Sequence, residues 1–323
     1  TLIPLSALKR RVFEYLRLDE YVIEQEIQFL VDKRRLFSSE HERFGTVLQS
    51  KWFYSAEKEI ANRLSIIMNT PAEKELVFDP SDSRLETLKS HQRRAVVAPF
   101  EHKVSVITGN PGAGKTTLLK TVVKLLESQN LSVLAVSPTG KAAQRLREVT
   151  GRDCSTIHRA LGATHQSDEF LFNDLQPLDY DVVIVDETSM LDTSILRALL
   201  RATPATSRVI LIGDVRQLPS VAPGSVFNDI INSGCFAVYW LTEVLRIKKA
   251  DGTPPTPLVV SSNVCEGVFL SSVPNDDEWG YYPTRSNSES KEVISKIIEE
   301  LKSEGKGHKD VQVFASVNEG DFG

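Results

Sequence analysis

A chain of 323 residues, 41% hydrophobic and 25% charged, holds enough apolar material for two or three domains with cores of their own. Its net charge of −5 excludes a surface coated for indiscriminate nucleic-acid binding, while leaving room for a local basic groove. No apolar run approaches a membrane span, and the opening TLIPLSALKRRVFEYL lacks the apolar core of a signal peptide, so the expectation is an intracellular protein with no membrane partner. Cys154, Cys235 and Cys265 are odd in number and far apart, which suits a reducing compartment and offers neither a disulfide framework nor a zinc pattern. Cys154 and His158 share an i, i+4 spacing, but no second ligand pair accompanies them to make a metal site.

Residues 1–70 read as a small helical module. Leu5, Leu8, Val12 and Leu16 form one helical stripe, and Ile23, Ile27, Leu30 and Val31 form a second. Phe37 and Val47 flank SSEHERFGT, which predicts a hairpin or wing, and Ala56, Ile60, Leu64 and Ile67 mark a third helix. The combination predicts a winged-helix-like module. Lys33, Arg34 and Arg35 end the second helix; they either touch phosphates or form a solvated helix end that complements the dipole. Residues 71–83, within NTPAEKELVFDPSDS, read as a linker.

From 84 to 247 the pattern is α/β. Strands are predicted at VSVIT 104–108, LSVLAVS 131–137, DVVIVD 181–186, RVILIGD 208–214 and AVYWL 237–241, mostly separated by helical stretches. Near-continuous apolar strands alternating with helices imply a parallel sheet covered on both faces, with its ligand at the carboxyl ends of the strands. In the helix beginning near 115, Leu118, Leu119, Val122 and Leu126 are expected in the core.

The first of these strands runs into a loop of the form GxxxxGK[ST], built from Gly109, Asn110, Pro111, Gly112, Ala113, Gly114, Lys115, Thr116 and Thr117. Gly112 and Gly114 let the backbone curl so that successive N–H groups point at one anion, and the following helix adds its positive end. Lys115 can reach the outer phosphates of a nucleotide, and the Thr116 hydroxyl can ligate Mg²⁺. Asp186 and Glu187 directly follow the strand VVIV; there an acidic residue can hold Mg²⁺ and its neighbour can activate the attacking water. Gly213, Asp214 and Gln217 follow the next strand, where Gln217 either senses the terminal phosphate or sits in an ordinary turn stabilised by Asp214.

In this order TGNPGAGKTT, SPTGKAAQRL, STIHRALG, VDETS, GDVRQLPSV and LTEVLR resemble the RecD-like branch of superfamily-1 DNA helicases. The likeness is dense over 84–247, and the amino-terminal helices with WFYSAEKEIANRL resemble the corresponding module of stand-alone bacterial members, with roles in DNA repair and recombination. The resemblance implies a RecA-like P-loop domain followed by a second one, ATP as fuel, and 5′ to 3′ movement on single-stranded DNA or a duplex with a 5′ overhang. It implies a monomeric protein of the cytoplasm, associated with the bacterial nucleoid.

Residue by residue, the resemblance assigns adenine recognition to Gln92, and DNA contact to Pro138, Thr139, Gly140, Lys141, Thr156 and His158. His158 also reads as a local cap or core residue. A strand-separating hairpin is implied at 162–174, where Phe170 and Phe172 either stack on bases or pack the hairpin. Arg246 in LTEVLR matches an arginine offered to the terminal phosphate from the second domain.

Residues 248–323 are expected to form part of that second RecA-like domain. They hold a proline-rich loop, KKADGTPPTP, an amphipathic helix carrying Val293, Ile294, Ile297, Ile298 and Leu301, and a strand at VQVFA 311–315. The family's late arginine-bearing motif does not occur in the sequence. The expectation is therefore a truncated second motor domain, and a chain that is not an efficient helicase in isolation. Two other classes share part of the signal: a P-loop switch or kinase with no DNA partner, and a DNA-binding module without turnover.

Overall fold

Both amino-terminal stripes form helices. The computed structural model describes residues 2–164, 167–242, 253, 255–269, 275–307 and 309–314, with backbone alone at 164 and 167–169. β1 (Ile3–Pro4) leads into α1 (Leu5–Leu16), which stops where Arg17 takes a left-handed φ of 53°. α2 (Glu20–Asp32) starts on Asp19, whose carboxylate accepts the Tyr21 N–H and so satisfies a donor with no partner inside the helix. Lys33, Arg34 and Arg35 form the exposed turn after it. β2 (Leu36–His41) and β3 (Gly45–Ser50) make the expected hairpin, joined by β1 in a three-stranded antiparallel sheet. α3 (Lys51–Asn69) follows, capped by the Ser50 hydroxyl.

α4 (Ser90–Val96) and α5 (Ala98–Glu101) precede β4 (Val104–Gly109), α6 (Lys115–Glu127), β5 (Val133–Ser137) and α7 (Gly140–Thr150). Then come β6 (Cys154–Thr156), α8 (Ile157–Ala160), the antiparallel pair β7 (Ala163–Thr164) and β8 (Ser167–Phe170), and β9 (Val182–Val185). α9 (Thr193–Ala202), β10 (Arg208–Gly213), α10 (Val226–Asn232) and β11 (Ala237–Leu241) complete the series. Six strands form one parallel sheet in the order β11-β4-β10-β9-β5-β6. The five predicted strands are all present. β6 was not expected: its three residues are too few for periodicity to register, and it forms by pairing Cys154 with Ala135 and Thr156 with Ser137 along the edge of β5. Cys154 therefore sits on a strand and His158 on a short helix, so the two do not share a helical face.

Along each central strand the side chains alternate between two apolar layers. Val104 and Val106, Val183 and Val185, and Val209 and Leu211 meet α3, α9 and α10 on one side. Ile107, Ile184, Ile210 and Ile212 meet α4 and α6 on the other, where Leu118, Leu119, Val122 and Leu126 are buried as expected. Burial on both faces is why these strands read as unbroken apolar runs.

α3 joins the amino-terminal region to this core. Its Ile60, Leu64 and Ile67 lie in the same cluster as the sheet, and Arg63 donates to the carbonyls of Leu200, Arg201 and Thr203 at the end of α9, groups with no partner inside that helix. The segment read as a linker is strapped to the sheet domain: Lys74 pairs with Asp181 at 2.8 Å, Val77 exchanges bonds with the Gln129 amide, and Leu76 and Phe78 pack beside α6. Thr1–Arg246 accordingly forms one compact unit, and Ile247–Gly323 a second.

In the second unit α11 (Thr256–Cys265) and α12 (Asn287–Ser303) are the described helices. α12 is the expected amphipathic helix, its start capped by the Ser286 hydroxyl. α11 gave no signal, because TPLVVSSNVC has no clear apolar stripe and only one strong helix former, Leu258. The strand expected at 311–315 is not found: residues 311–314 have no regular structure, and 315 lies outside the described residues. A strand needs a neighbour to take its N–H and C=O groups, and this unit has none among its described residues.

Gly109 ends β4 opposite Leu241 of β11. A Cβ there would lie 2.6 Å from the Leu241 carbonyl oxygen and 2.7 Å from its Cβ. Gly109→Ala must push β11 aside and is expected to cost about 1–3 kcal/mol, read as a fall of several degrees in melting temperature by circular dichroism. An unchanged melting temperature would mean that this contact does not set the position of β11.

Candidate nucleotide and strand-contact site

Because the strands are parallel, the loops that follow them emerge at one edge. β4 delivers the glycine-rich loop, in which Gly112 and Gly114 both have φ 81°, a conformation that side chains resist. Ala113 is buried beneath it, and its N–H closes a turn onto the Asn110 carbonyl. α6 begins on Gly114, which offers no side-chain cap, so the N–H groups of its first turn remain for an anion. The Lys115 ammonium donates to the carbonyls of Gly109 (2.6 Å) and Asn110 (3.4 Å) and lies 3.7 Å from the Asp214 carboxylate.

Gln92 stands behind this loop rather than in front of it. Its amide is buried, accepting the Lys89 N–H at 2.9 Å and donating to the Gly114 carbonyl at 3.1 Å. In this arrangement it holds the loop in place.

β9 delivers Asp186 and Glu187. Desolvation, with the neighbouring Glu187 charge second, pushes the Asp186 carboxyl up to about 6. Glu187 takes a left-handed φ of 54°, a strained choice for a side chain of its size, and one of its carboxylate oxygens is buried with no hydrogen-bond partner. β10 delivers Asp214 and Gln217. Asp214 is fully buried; it accepts the Arg216 N–H on its side chain and the Gln217 N–H on its carbonyl. It thus builds the turn and faces Lys115 at once. The Gln217 side-chain carbonyl accepts the Ser189 hydroxyl at 3.4 Å.

One cavity is lined by Pro111, Gly112, Gly114, Lys115, Thr116 and Thr117 together with Arg145, Glu187 and Gln217. A second, lined by Thr139, Lys141, Gln144 and Met190 among others, has the same Arg145, Glu187 and Gln217 in its wall. Thr139 caps α7 by accepting the Ala142 N–H. Thr156 ends β6 opposite Ser137 and caps α8 by accepting the Arg159 N–H, so the segments at 138–141 and 156–158 follow adjacent strands. The exposed His158 ring lies 5.9 Å from that of Phe170. Phe170 and Phe172 pack against the core, which favours the packing reading for both. Arg246 lies outside the described residues.

The loop and strand ends fit a triphosphate and Mg²⁺. Thr108 Oγ1, Ser137 Oγ and a Glu187 oxygen are all buried without hydrogen-bond partners, and all three stand at or just beyond the carboxyl ends of β4, β5 and β9. Buried polar atoms left in this state are costly, and here they cluster where a polar ligand would satisfy them. Among the described residues no group of three or more His, Cys, Asp or Glu could hold a metal; Thr116 and Asp186 provide one hydroxyl and one carboxylate, as a phosphate-bound Mg²⁺ requires. Sequence reasoning missed the inward role of Asp214, at which only its position after a strand hinted, and gave no role to Arg145 although SPTGKAAQRL contains it.

Residues 87–254 match the AAA domain family (AAA_30). The chain belongs to this family. Over 173 residues it is 42% identical to the ATP-dependent RecD2 DNA helicase of Deinococcus radiodurans, an alignment covering 52% of this chain and 24% of that protein. Over 163 residues it is 34% identical to the RecBCD enzyme subunit RecD of Haemophilus influenzae, covering 43% and 26% respectively. The RecD-like character implied by the motifs is borne out by these relatives. The matched part spans about a quarter of their length. The structure of Pif1 helicase from Candida albicans superposes with a TM-score of 0.44 at 20% identity, over 67% of this chain and 55% of that one. No helix among the described residues is long and apolar enough to cross a membrane.

The raised Asp186 value has a measurable consequence. A folded-state pKa near 6, above the ordinary 3.8, gives stability that is fully present below pH 3.8 and is lost as pH rises through 6. Asp186→Asn is expected to raise the melting temperature of the nucleotide-free chain by several degrees at pH 8, with the gain shrinking steadily as pH falls. A difference independent of pH would contradict this account of Asp186.

Proposed function

We propose that this chain carries the ATP-hydrolysing site of a DNA helicase that moves 5′ to 3′ along single-stranded DNA, or a duplex with a 5′ overhang, as a monomer in the cytoplasm at the nucleoid. The observation that carries the reading is the shared wall: Glu187 and Gln217 line both the cavity at the Lys115 loop and the one beside Thr139 and Lys141. Chemistry in the first cavity can therefore alter side chains that face the second. The names of the relatives support ATP and DNA as the substrates; direction and strand preference rest on the motif resemblance.

The loop N–H groups of residues 110–117 would cradle the phosphates, with Lys115 exchanging the Gly109 and Asn110 carbonyls for phosphate oxygens. Glu187 would take the proton of the attacking water, since its unpartnered oxygen can accept it. Gln217 would orient that water or sense the terminal phosphate. Thr116 and Asp186 would hold Mg²⁺, which when bound neutralises charge on the phosphate oxygens. Gln92 would reach adenine only by exchanging its bonds to Lys89 and Gly114. Pro138, Thr139, Gly140, Lys141, Thr156 and His158 would contact the strand backbone, as loops at strand ends and helix starts can. Arg246 would add a guanidinium to the terminal phosphate, and residues 248–323 would belong to the second RecA-like domain.

In steady-state assays ATP hydrolysis is expected to rise on adding single-stranded oligonucleotides. Lys115→Ala should abolish turnover, while Glu187→Gln should lower kcat by roughly a hundredfold or more and still bind triphosphate. Both variants should keep most of their DNA affinity. Turnover that ignores DNA would point to a switch or kinase, and turnover surviving in Lys115→Ala would remove the loop from the mechanism.

A further inference from the structure

We infer that Arg145 is a second cationic ligand of the terminal phosphate, supplied by the first domain itself, and that through α7 it ties that phosphate to the strand-contact segment at Thr139–Lys141. The inference rests on the nucleotide reading above and gives a role to a residue of SPTGKAAQRL to which the sequence reading assigned none.

Arg145 is in the wall of both cavities, with Glu187 and Gln217. Unlike those two it comes from α7, the helix that begins at the proposed strand-contact segment. Its guanidinium makes no hydrogen bond or ion pair within the described residues. The neighbouring arginines are committed: Arg147 pairs with Asp153 and donates to the Cys154 carbonyl, and Arg152 pairs with Glu127. An exposed arginine in the wall of a phosphate cavity that Glu187 also lines is placed to offer an incoming phosphate its planar fork.

Charge makes the same demand. Asp186, Glu187 and Asp214 stand at the strand ends, and the Asp214 carboxylate already offsets the ammonium of Lys115. A triphosphate brings further negative charge, and Arg145 is the other cation lining its cavity among the described residues. The helix supplies the link. Lys141 and Arg145 are four residues apart and so lie on one face of α7, while Ala143 and Leu146 are buried on its inner side. A pull on Arg145 moves a rigid element that is capped by Thr139 and carries Lys141 in its first turn.

The test compares Arg145→Ala and Arg145→Lys with the parent chain, using a fluorescent ADP analogue as probe and a non-hydrolysable ATP analogue as competitor, with and without oligothymidylate. In Arg145→Ala the triphosphate analogue is expected to bind roughly tenfold to a hundredfold more weakly, the range for a lost hydrogen bond to a charged group, while ADP affinity stays within about twofold. Arg145→Lys should recover part of the loss, because it restores the charge without the fork. The oligonucleotide should shift triphosphate affinity less in Arg145→Ala than in the parent. An unchanged triphosphate-to-diphosphate ratio would overturn the inference, and so would an equal loss of both nucleotides accompanied by a lowered melting temperature, which marks a merely structural role. Failure of the parent chain to bind either nucleotide would overturn the nucleotide reading and this inference with it, and is seen in the parent before any variant is compared.

Discussion

One buried ion pair governs the site: the Lys115 ammonium beside the fully buried Asp214 carboxylate, 3.7 Å apart. A buried carboxylate is expensive unless a cation answers it, and a lysine at the first position of α6 can do so only if the glycine-rich loop brings it back over the end of β4. The two left-handed glycines, the Gly109 contact with β11 and the Gln92 bond to the Gly114 carbonyl all serve that path. Asp214 in turn sits where β10 pairs with β4, so the sheet register and the loop conformation fix each other.

Around that pair the site carries costs that the fold does not need. Glu187 is held in a left-handed conformation with an unpartnered oxygen, and Asp186 is desolvated enough to shift its titration toward neutrality. A purely structural sheet edge would shed such features, since each weakens the fold by an amount comparable to a lost hydrogen bond. Their concentration just past the end of β9 is what strained, preorganised chemistry requires.

Much of this was legible in the sequence, for definite reasons. The glycine-rich loop and the pair Asp186 and Glu187 are encoded by local spacing next to strong apolar strands, and the central strands carry apolar residues on both faces, so loop, carboxylates and sheet could be read together. What escaped depended on tertiary partners. β6 exists only because β5 has a free edge, and the strand expected at 311–315 had apolar residues but no partner among the described residues. α3 looked like part of a separate module until Ile67 and Arg63 were seen bound into the sheet domain. Arg145 lies within SPTGKAAQRL but carried no role there, because an arginine on an amphipathic helix is ordinary until the fold sets it beside a phosphate loop.

The central claim is that a nucleoside triphosphate occupies the loop that Lys115 now closes. Hydrogen–deuterium exchange of the chain with and without a non-hydrolysable ATP analogue and Mg²⁺ tests it most directly. The account predicts slowed exchange concentrated in the amides of residues 110–117, with smaller effects at 186–190 and 214–217. Protection centred elsewhere, or an exchange pattern indifferent to the nucleotide, would contradict it.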